Sequence, residues 1–349
     1  MYAFLLKYLS VLFFHTIFHQ LSYLMKIKYI SFLRLAILLF CCLAGCDSVV
    51  YDDLSGCPQG VNFEFYRQTP CEQSPYYPTE IRQLRIFAFD ERERLVDVFS
   101  EKDIILSPEY RYSVPFNRKG KFTFVAWGGS DLSTYVFSAF KKGSTSKQEM
   151  EVALRLEGKR VSSASGPLYI GFSGISMVGK ENSGTFYERV AFNMQELTYR
   201  IHFTIKSTPN PFPTGENFII KIEDDNGVYD FSGKIAPCER FEYTADAVCD
   251  ANGVLKVDFI LMKLEEGRNA IVSVINKTTG KAIYTANLVD DIILYKEDFG
   301  VPPYSLECDH DFPITLIFNN EGETWNLIQA AVLDWNVVSR PVELDYYGR

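Results

Sequence analysis

The chain has 349 residues, a formal net charge of −9, and 28 Phe and 21 Tyr against only 4 His. Its acidic balance argues against a nucleic-acid partner, which needs basic patches. The few histidines and the absence of a Cys-x-x-Cys pair argue against a zinc site, so neither metal nor cofactor is expected.

Met1 to Tyr23 is apolar and aromatic, and carries His15 and His19. Met25-Lys26-Ile27-Lys28 is a better beginning for a signal, so the true start is expected at Met25. Lys26, Lys28 and Arg34 then precede an apolar run from Leu35 to Cys42, followed by Leu43-Ala44-Gly45-Cys46. This is the lipobox pattern. The small residues let a peptidase reach the backbone, and the cysteine takes a diacylglycerol on its thiol and an acyl chain on its freed amine. The apolar run is too short to cross a bilayer, which takes ~20 residues, and matches a signal core of ~7–15. Residues 1–45 are therefore expected to be removed, and Cys46 to be lipidated and to hold the rest at a membrane. More than one acyl chain gives firm attachment.

Asp47, Asp52 and Asp53 follow in a short acidic tether, 46–58. Five further cysteines remain: Cys57, Cys71, Cys238, Cys249 and Cys308. An exported protein tolerates disulfides. Cys57 and Cys71 are candidates to close a loop around the first strand, and Cys238 and Cys249 flank a turn region. Cys308 is then left over, free and buried.

From Val61 onward, short apolar and polar residues alternate. Val61–Phe65, Leu84–Phe89, Tyr110–Val114, Phe122–Trp127, Leu168–Ile175, Arg189–Met194 and Tyr199–Lys206 read as half-buried antiparallel strands. Leu132–Phe140 is a short helix candidate. Phe218–Ile222 leads through Asn226-Gly227, a hairpin signal, into Val228–Phe231. Asn252-Gly253 repeats the signal before Val254–Leu261. Lys277-Thr278-Thr279-Gly280 joins Ala270–Ile275 to Ala282–Ala286. Ile314–Phe318 and Ala330–Val338 close the set, with a turn expected at Thr324–Gln329. Ser207 to Pro213 reads as a linker or as a loop of the second half. The fold expected is all-β, with sandwiches at 59–197 and 198–349.

Residue patterns for catalysis are weak. Gly171-Phe172-Ser173-Gly174 breaks the nucleophile-elbow spacing and lacks its strand-to-helix context. Asp224-Asp225, Glu265-Glu266 and Asp290-Asp291 are carboxylate pairs of the sort glycoside chemistry uses, but read better as exposed turns. Asp309, His310 and Asp311 read as a solvated loop rather than a calcium or proton site. Tyr76-Tyr77 and Tyr346-Tyr347 read as packing residues rather than a sugar platform. No enzyme is expected.

The ordered motifs along the chain resemble the FimB/Mfa2-type fimbrial anchor lipoproteins of Bacteroidales. They are the lipobox cysteine, Asp52-Asp53-Leu54-Ser55-Gly56-Cys57-Pro58, Val61 to Tyr66, Thr69-Pro70-Cys71, Ile81 to Asp90, Phe122 to Gly129, Leu168 to Gly171, Leu197 to Arg200, His310 to Ile314 and Leu333 to Val338. The resemblance implies two transthyretin-like antiparallel sandwiches in tandem. It implies an outer-membrane lipoprotein at the base of a fimbria that ties the polymer to the cell surface and limits its length. Asp47, Asp52 and Asp53 would then signal surface export, and fimbrillin subunits would be partners. Assembly would proceed by strand exchange, in which backbone hydrogen bonds and alternate side-chain pockets supply affinity. The tail alternates Val342, Leu344 and Tyr346 with Glu343, Asp345 and Tyr347, so it could donate a strand or finish a sheet. Two other readings stand beside this one: an accessory or tip subunit or adhesin, and a surface glycan-binding lipoprotein.

Overall fold

The structure is a computed structural model that describes residues 57–161, 166–179, 184–294, 304–321, 324–332 and 335–338. Two compact units divide it. One comprises residues 1–58 and 181–185, of which Cys57, Pro58, Gly184 and Thr185 are described; the other comprises 59–180 and 186–349 and holds every strand below.

In chain order the strands are β1 (Gln59–Tyr66), β2 (Gln83–Phe89), β3 (Leu95–Lys102), β4 (Tyr112–Pro115), β5 (Gly120–Gly129), β6 (Tyr135–Phe137), β7 (Glu151–Leu154), β8 (Leu156–Glu157), β9 (Arg160–Val161), β10 (Leu168–Phe172), β11 (Ser176–Val178), β12 (Phe186–Asn193) and β13 (Gln195–Glu196). There follow β14 (Thr198–Thr208), β15 (Asn217–Asp224), β16 (Val228–Asp230), β17 (Phe241–Val248), β18 (Val254–Met262), β19 (Ile271–Asn276), β20 (Ala282–Asn287), β21 (Asp311–Glu321), β22 (Thr324–Val332) and β23 (Trp335–Val338). The chain is all-β, as its alternating pattern implies.

Nine of the first thirteen strands build the sheets β12-β1-β4 and β13-β10-β5-β2-β3, with β11 also on β5. Phe63, Phe65, Ile86, Phe124, Phe192 and their neighbours fill the layer between them. The later strands build β18-β14-β21-β22-β23 and β20-β19-β15-β17, the latter extended by β9 and β8 from the first half. A small sheet, β16-β7-β6, also mixes the halves. Strands β7 and β9 thus pair with partners 70 or more residues later, Val152 with Tyr229 and Arg160 with Glu242.

This crossing explains why two strands are apolar on both faces. Ile86, Ala88, Phe124 and Ala126 point into the first core, whereas Phe87, Phe89, Val125 and Trp127 belong to the second, larger one. Phe231 from the later half packs there, its ring 4.9 Å from Phe87 and 5.6 Å from Trp127. A strand buried on both faces reads as a near-continuous apolar run, which is what Ile86-Phe87-Ala88-Phe89 and Phe124-Val125-Ala126-Trp127 are.

Several sequence expectations need correction. Leu132–Phe140 is not a helix. One 3-10 turn at Leu132–Thr134, capped by Asp131, runs straight into β6. Thr324–Gln329 is strand, not turn. The sheets are not wholly antiparallel: β1 lies parallel to β12, and β14 to β21. Of Ser207–Pro213, Ser207 and Thr208 finish β14 and the rest is a loop of the later half, with Phe212 buried and its ring 5.0 Å from Phe218.

Asn226-Gly227 does not make a hairpin. Strand β15 pairs with β17 and β19, while β16 pairs with β7. Asn226 is buried and its amide donates to the carbonyls of Met262 and Lys263, at 3.2 and 3.0 Å. Gly227 is small because a Cβ there would lie 2.8 Å from the Phe241 ring. Asn252-Gly253 does turn the chain, with Gly253 at a φ of 74°, but it delivers β17 and β18 into different sheets. The turn at 277–280 joins β19 to β20 as expected, with Asn276 Oδ1 accepting from the amides of Thr278 and Thr279 at 3.0 Å.

Candidate functional site: a bridged cleft and the terminal edge

A cleft of about 1260 Å³ opens where the end of β1 approaches the start of β21. Its walls include Arg67 to Cys71, Asn193 to Leu197, Lys263 to Glu266 and Tyr304 to His310. A disulfide joins Cys71 on one wall to Cys308 on the other, with Cα atoms 5.9 Å apart, a normal spacing for such a bridge.

This pairing corrects both expected disulfides. Cys57 precedes, and Cys71 follows, the eight-residue extended strand β1. Cys238 and Cys249 likewise flank the eight-residue strand β17. Eight extended residues span roughly 25 Å, far beyond the reach of a disulfide. Cys57 and Cys238 are half-buried and Cys249 is buried, all three as free thiols. The Cys238 thiol lies 3.0 Å from the Asp225 carbonyl, and burial pushes both the Cys238 and the Cys249 thiol up.

Behind the bridge lies a line of ionised side chains. Arg67 follows directly on β1, pairs through its backbone with Tyr76, and is almost wholly buried. Its guanidinium donates to the Tyr76 hydroxyl and lies 3.4 Å from Glu72 and 3.9 Å from Glu196. Only 1% of the Glu196 side chain is exposed. A charge so buried requires partners. Glu196 accepts from Arg200 at 2.6 Å and from the Thr198 hydroxyl at 3.2 Å. Burial alone would lower the Arg200 guanidinium, but the hydrogen bond and charge of Glu196 hold it above its ordinary value.

The line continues onto the open face of the later sheet. Arg200 Nε is 3.4 Å from Asp311, on the neighbouring parallel strand. His202 sits between Asp258, 2.7 Å from Nδ1, and Asp311, 3.3 Å from Nε2.

His310 is not in a solvated loop as expected. It is buried, its Nδ1 lies 2.9 Å from the Thr198 carbonyl, and its ring stacks on Tyr199 at 4.6 Å. Burial lowers its pKa. The Tyr199 hydroxyl donates to the Leu306 carbonyl, and Tyr169 donates to Glu80 at 2.5 Å. Burial pushes both phenols well up, so both stay protonated donors.

The other residues singled out by sequence are held in local structure. Ser173 Oγ accepts from the Phe124 amide at 2.8 Å and donates to the Gly174 carbonyl at 2.7 Å. Asp224 is buried, not an exposed turn residue, and burial pushes its carboxyl up to about 6. Asp225 pairs with Arg268. Asp290 and Asp291 accept from the amides of Gly267 and Asn287, at 3.0 and 2.8 Å. Tyr77 packs on the first core. Cys46, Asp47, Asp52, Asp53, Tyr346 and Tyr347 lie outside the described residues. Among the described residues no helix is long and apolar enough to cross a membrane, and no cluster of His, Cys, Asp and Glu is placed to hold a metal ion.

The cleft arrangement fixes geometry. Arg67, Glu196 and Lys263 in it each meet an opposite charge, and a covalent bridge closes the rim. Among the described residues the later sheet ends in β23, which pairs with β22, Ala331 to Asn336 and Val332 to Trp335.

A model of the fimbrillin-A associated anchor proteins Mfa1 and Mfa2 matches residues 54–341. The chain belongs to this family. It is 30% identical over 307 residues to the minor fimbrium anchoring subunit Mfa2 of Porphyromonas gingivalis, covering 86% of this chain and 92% of that protein. The solved structure of the P. gingivalis Mfa2 anchor superposes with a TM-score of 0.68 at 29% identity, over 81% of this chain and all of that one. A Bacteroides thetaiotaomicron protein proposed to be an adhesin shares the fold, with a TM-score of 0.67 at 18% identity, over 82% of this chain and all of that one. The family is one of fimbrial anchors rather than enzymes.

Within this fold the bridge and the buried Arg67–Glu196–Arg200 line were invisible in sequence. Arg67 reads as a polar strand end and Glu196 as one of 44 acidic residues. An odd cysteine count was the one signal available, since it required at least one thiol to stay single without saying which.

Proposed function

We propose that this chain is the anchoring subunit of a fimbrium. Lipid on Cys46 holds it in the outer membrane, and the acidic tether 46–58, with Asp47, Asp52 and Asp53, carries it to the cell surface. Sandwiches at 59–197 and 198–349 form its body. It joins fimbrillin subunits by strand exchange at the terminal edge, and by occupying the base it limits polymer length. The observation that carries this reading is the continuous match of the anchor family over residues 54–341. The lipobox cysteine stands just ahead of that match, where a membrane tether must be.

The test is Cys46→Ala in the native cell. The expected result is loss of the protein from the outer-membrane fraction and shedding of fimbriae into the medium. Fimbriae that stay on the cell at normal length would remove the anchoring role. Gentle isolation of the detergent-solubilised protein, with mass spectrometry of what accompanies it, is expected to recover fimbrillin-type subunits. Removal of residues 341–349 is expected to abolish that recovery while leaving the lipoprotein in the membrane.

A further inference from the structure

The Cys71–Cys308 bridge changes what a pulling force can reach. Cys71 lies shortly after the first strand, and Cys308 shortly before β21, whose sheet leads through β22 and β23 to the chain end. The covalent path between the two ends therefore runs through β1, across the sulfur–sulfur bond and along β21, β22 and β23. The sequence separation across the bridge is 237 residues, and all of that chain hangs off the path as a closed loop.

We infer that the bridge is a load-bearing clasp: it carries tension applied between the two ends of the chain and keeps residues 72–307 from being drawn out. Hydrogen bonds and packing yield under sustained force at the rate of unfolding, whereas a covalent bond does not. The surroundings suit the role. The bridge closes the rim of a cleft lined by the buried, paired Arg67 and Glu196, so both cysteines are mounted on walls that are themselves tied together. Arg67 and Glu72, paired at 3.4 Å, brace the Cys71 side, and the Tyr199 hydroxyl on the Leu306 carbonyl braces the Cys308 side. The clasp's use on the cell rests on the anchoring reading above, because only a tether between membrane and polymer is pulled by its ends.

The measurement is single-molecule pulling on the purified mature chain, held at residue 46 and at the C-terminus. Without reductant, no extension step from the bridged loop is expected. After reduction of the same molecules with dithiothreitol, or in the variant with Cys71→Ser and Cys308→Ser, an added contour length of roughly 80 nm is expected for 237 residues. Release of that length by the unreduced protein, or no gain on reduction, overturns the clasp. Reduction of the natural chain keeps the test valid should the serine variant fail to fold.

A cell experiment separates this inference from the anchoring reading. Cells with the two serines are expected to keep fimbriae at rest and lose them under shear that the natural strain withstands. Retention equal to the natural strain overturns the clasp as a working part. A strain lacking this chain that still holds its fimbriae under the same shear overturns the anchoring reading and leaves the pulling result standing.

Discussion

Glu196 receives Arg200 at 2.6 Å with 99% of its own side chain shielded from water. The pair spans the step from β13 into β14, and Arg67 approaches the same carboxylate from the end of β1. Removing one member of such a set leaves buried charge uncompensated. Glu196→Ala is expected to lower unfolding free energy by about 3–5 kcal/mol, read by urea titration. Combining Glu196→Leu with Arg67→Met is expected to recover much of that loss, since a packed apolar replacement removes the stranded charge as well. A double variant as unstable as the single one would count against the burial argument.

Asp224 supplies a pH test. Its folded-state carboxyl stands at about 6 against an ordinary 3.8, raised by burial. A raised acid favours the folded state while protonated, so its stabilising share is fully present below pH 3.8 and is lost as pH rises through about 6. The difference corresponds to roughly 3 kcal/mol. Asp224→Asn stays neutral throughout and still offers an oxygen to the Asp225 amide, which now sits at 2.7 Å. The variant should match the natural protein near pH 4 and exceed it in melting temperature near pH 7.5. Parallel curves across that range would show that Asp224 does not titrate in this way.

The disulfide assignment is open to chemistry. Peptide mapping without reduction is expected to recover one crosslinked species joining the Cys71 and Cys308 peptides. Cys238 and Cys249 should alkylate, Cys249 only after unfolding. Loss of the bridge through Cys71→Ser and Cys308→Ser should lower stability by up to about 5 kcal/mol, the loop-entropy limit for so long a loop. A Cys57–Cys71 crosslink would refute the pairing described here.

Gly227 tests a packing argument. It lacks a positive φ, yet a Cβ would come within 2.8 Å of the Phe241 ring. Gly227→Ala should therefore destabilise by about 1–3 kcal/mol through overpacking. Combining it with Phe241→Leu should relieve part of that cost. A turn requirement for glycine predicts no such relief.

The contrast at Asn226-Gly227 shows what the sequence could and could not disclose. Strands were legible where residues alternate, because alternation records which face is wet, but β3 and β17 have no counterpart in the sequence expectations, and β6 and β22 stand where a helix and a turn were expected. Even β2 and β5, apolar on both faces, announced themselves by aromatic and β-branched content. Partnership was not legible. Val228 pairs across to Ala153 rather than back onto Phe218, and the Asn226 amide beside it donates to carbonyls 36 and 37 positions further along the chain than itself. The site was least legible. Arg67, Glu196 and Cys308 acquire meaning only when three distant segments meet, and no local pattern encodes that meeting. His310 was misjudged for the same reason, since the stack on Tyr199 that buries it joins residues far apart in the chain.

The parallel pairing of β14 with β21 has a consequence for biogenesis. Strand β21 is the middle of its five-stranded sheet, yet its residues begin at 311, more than a hundred positions after β14 begins. During synthesis, which begins at the N-terminus, β14 has only β18 beside it until the end of the chain emerges. Contacts so distant in sequence close slowly. The late arrival of the sheet's centre leaves this half of the polypeptide without its finished sheet until nearly all of the chain has been made.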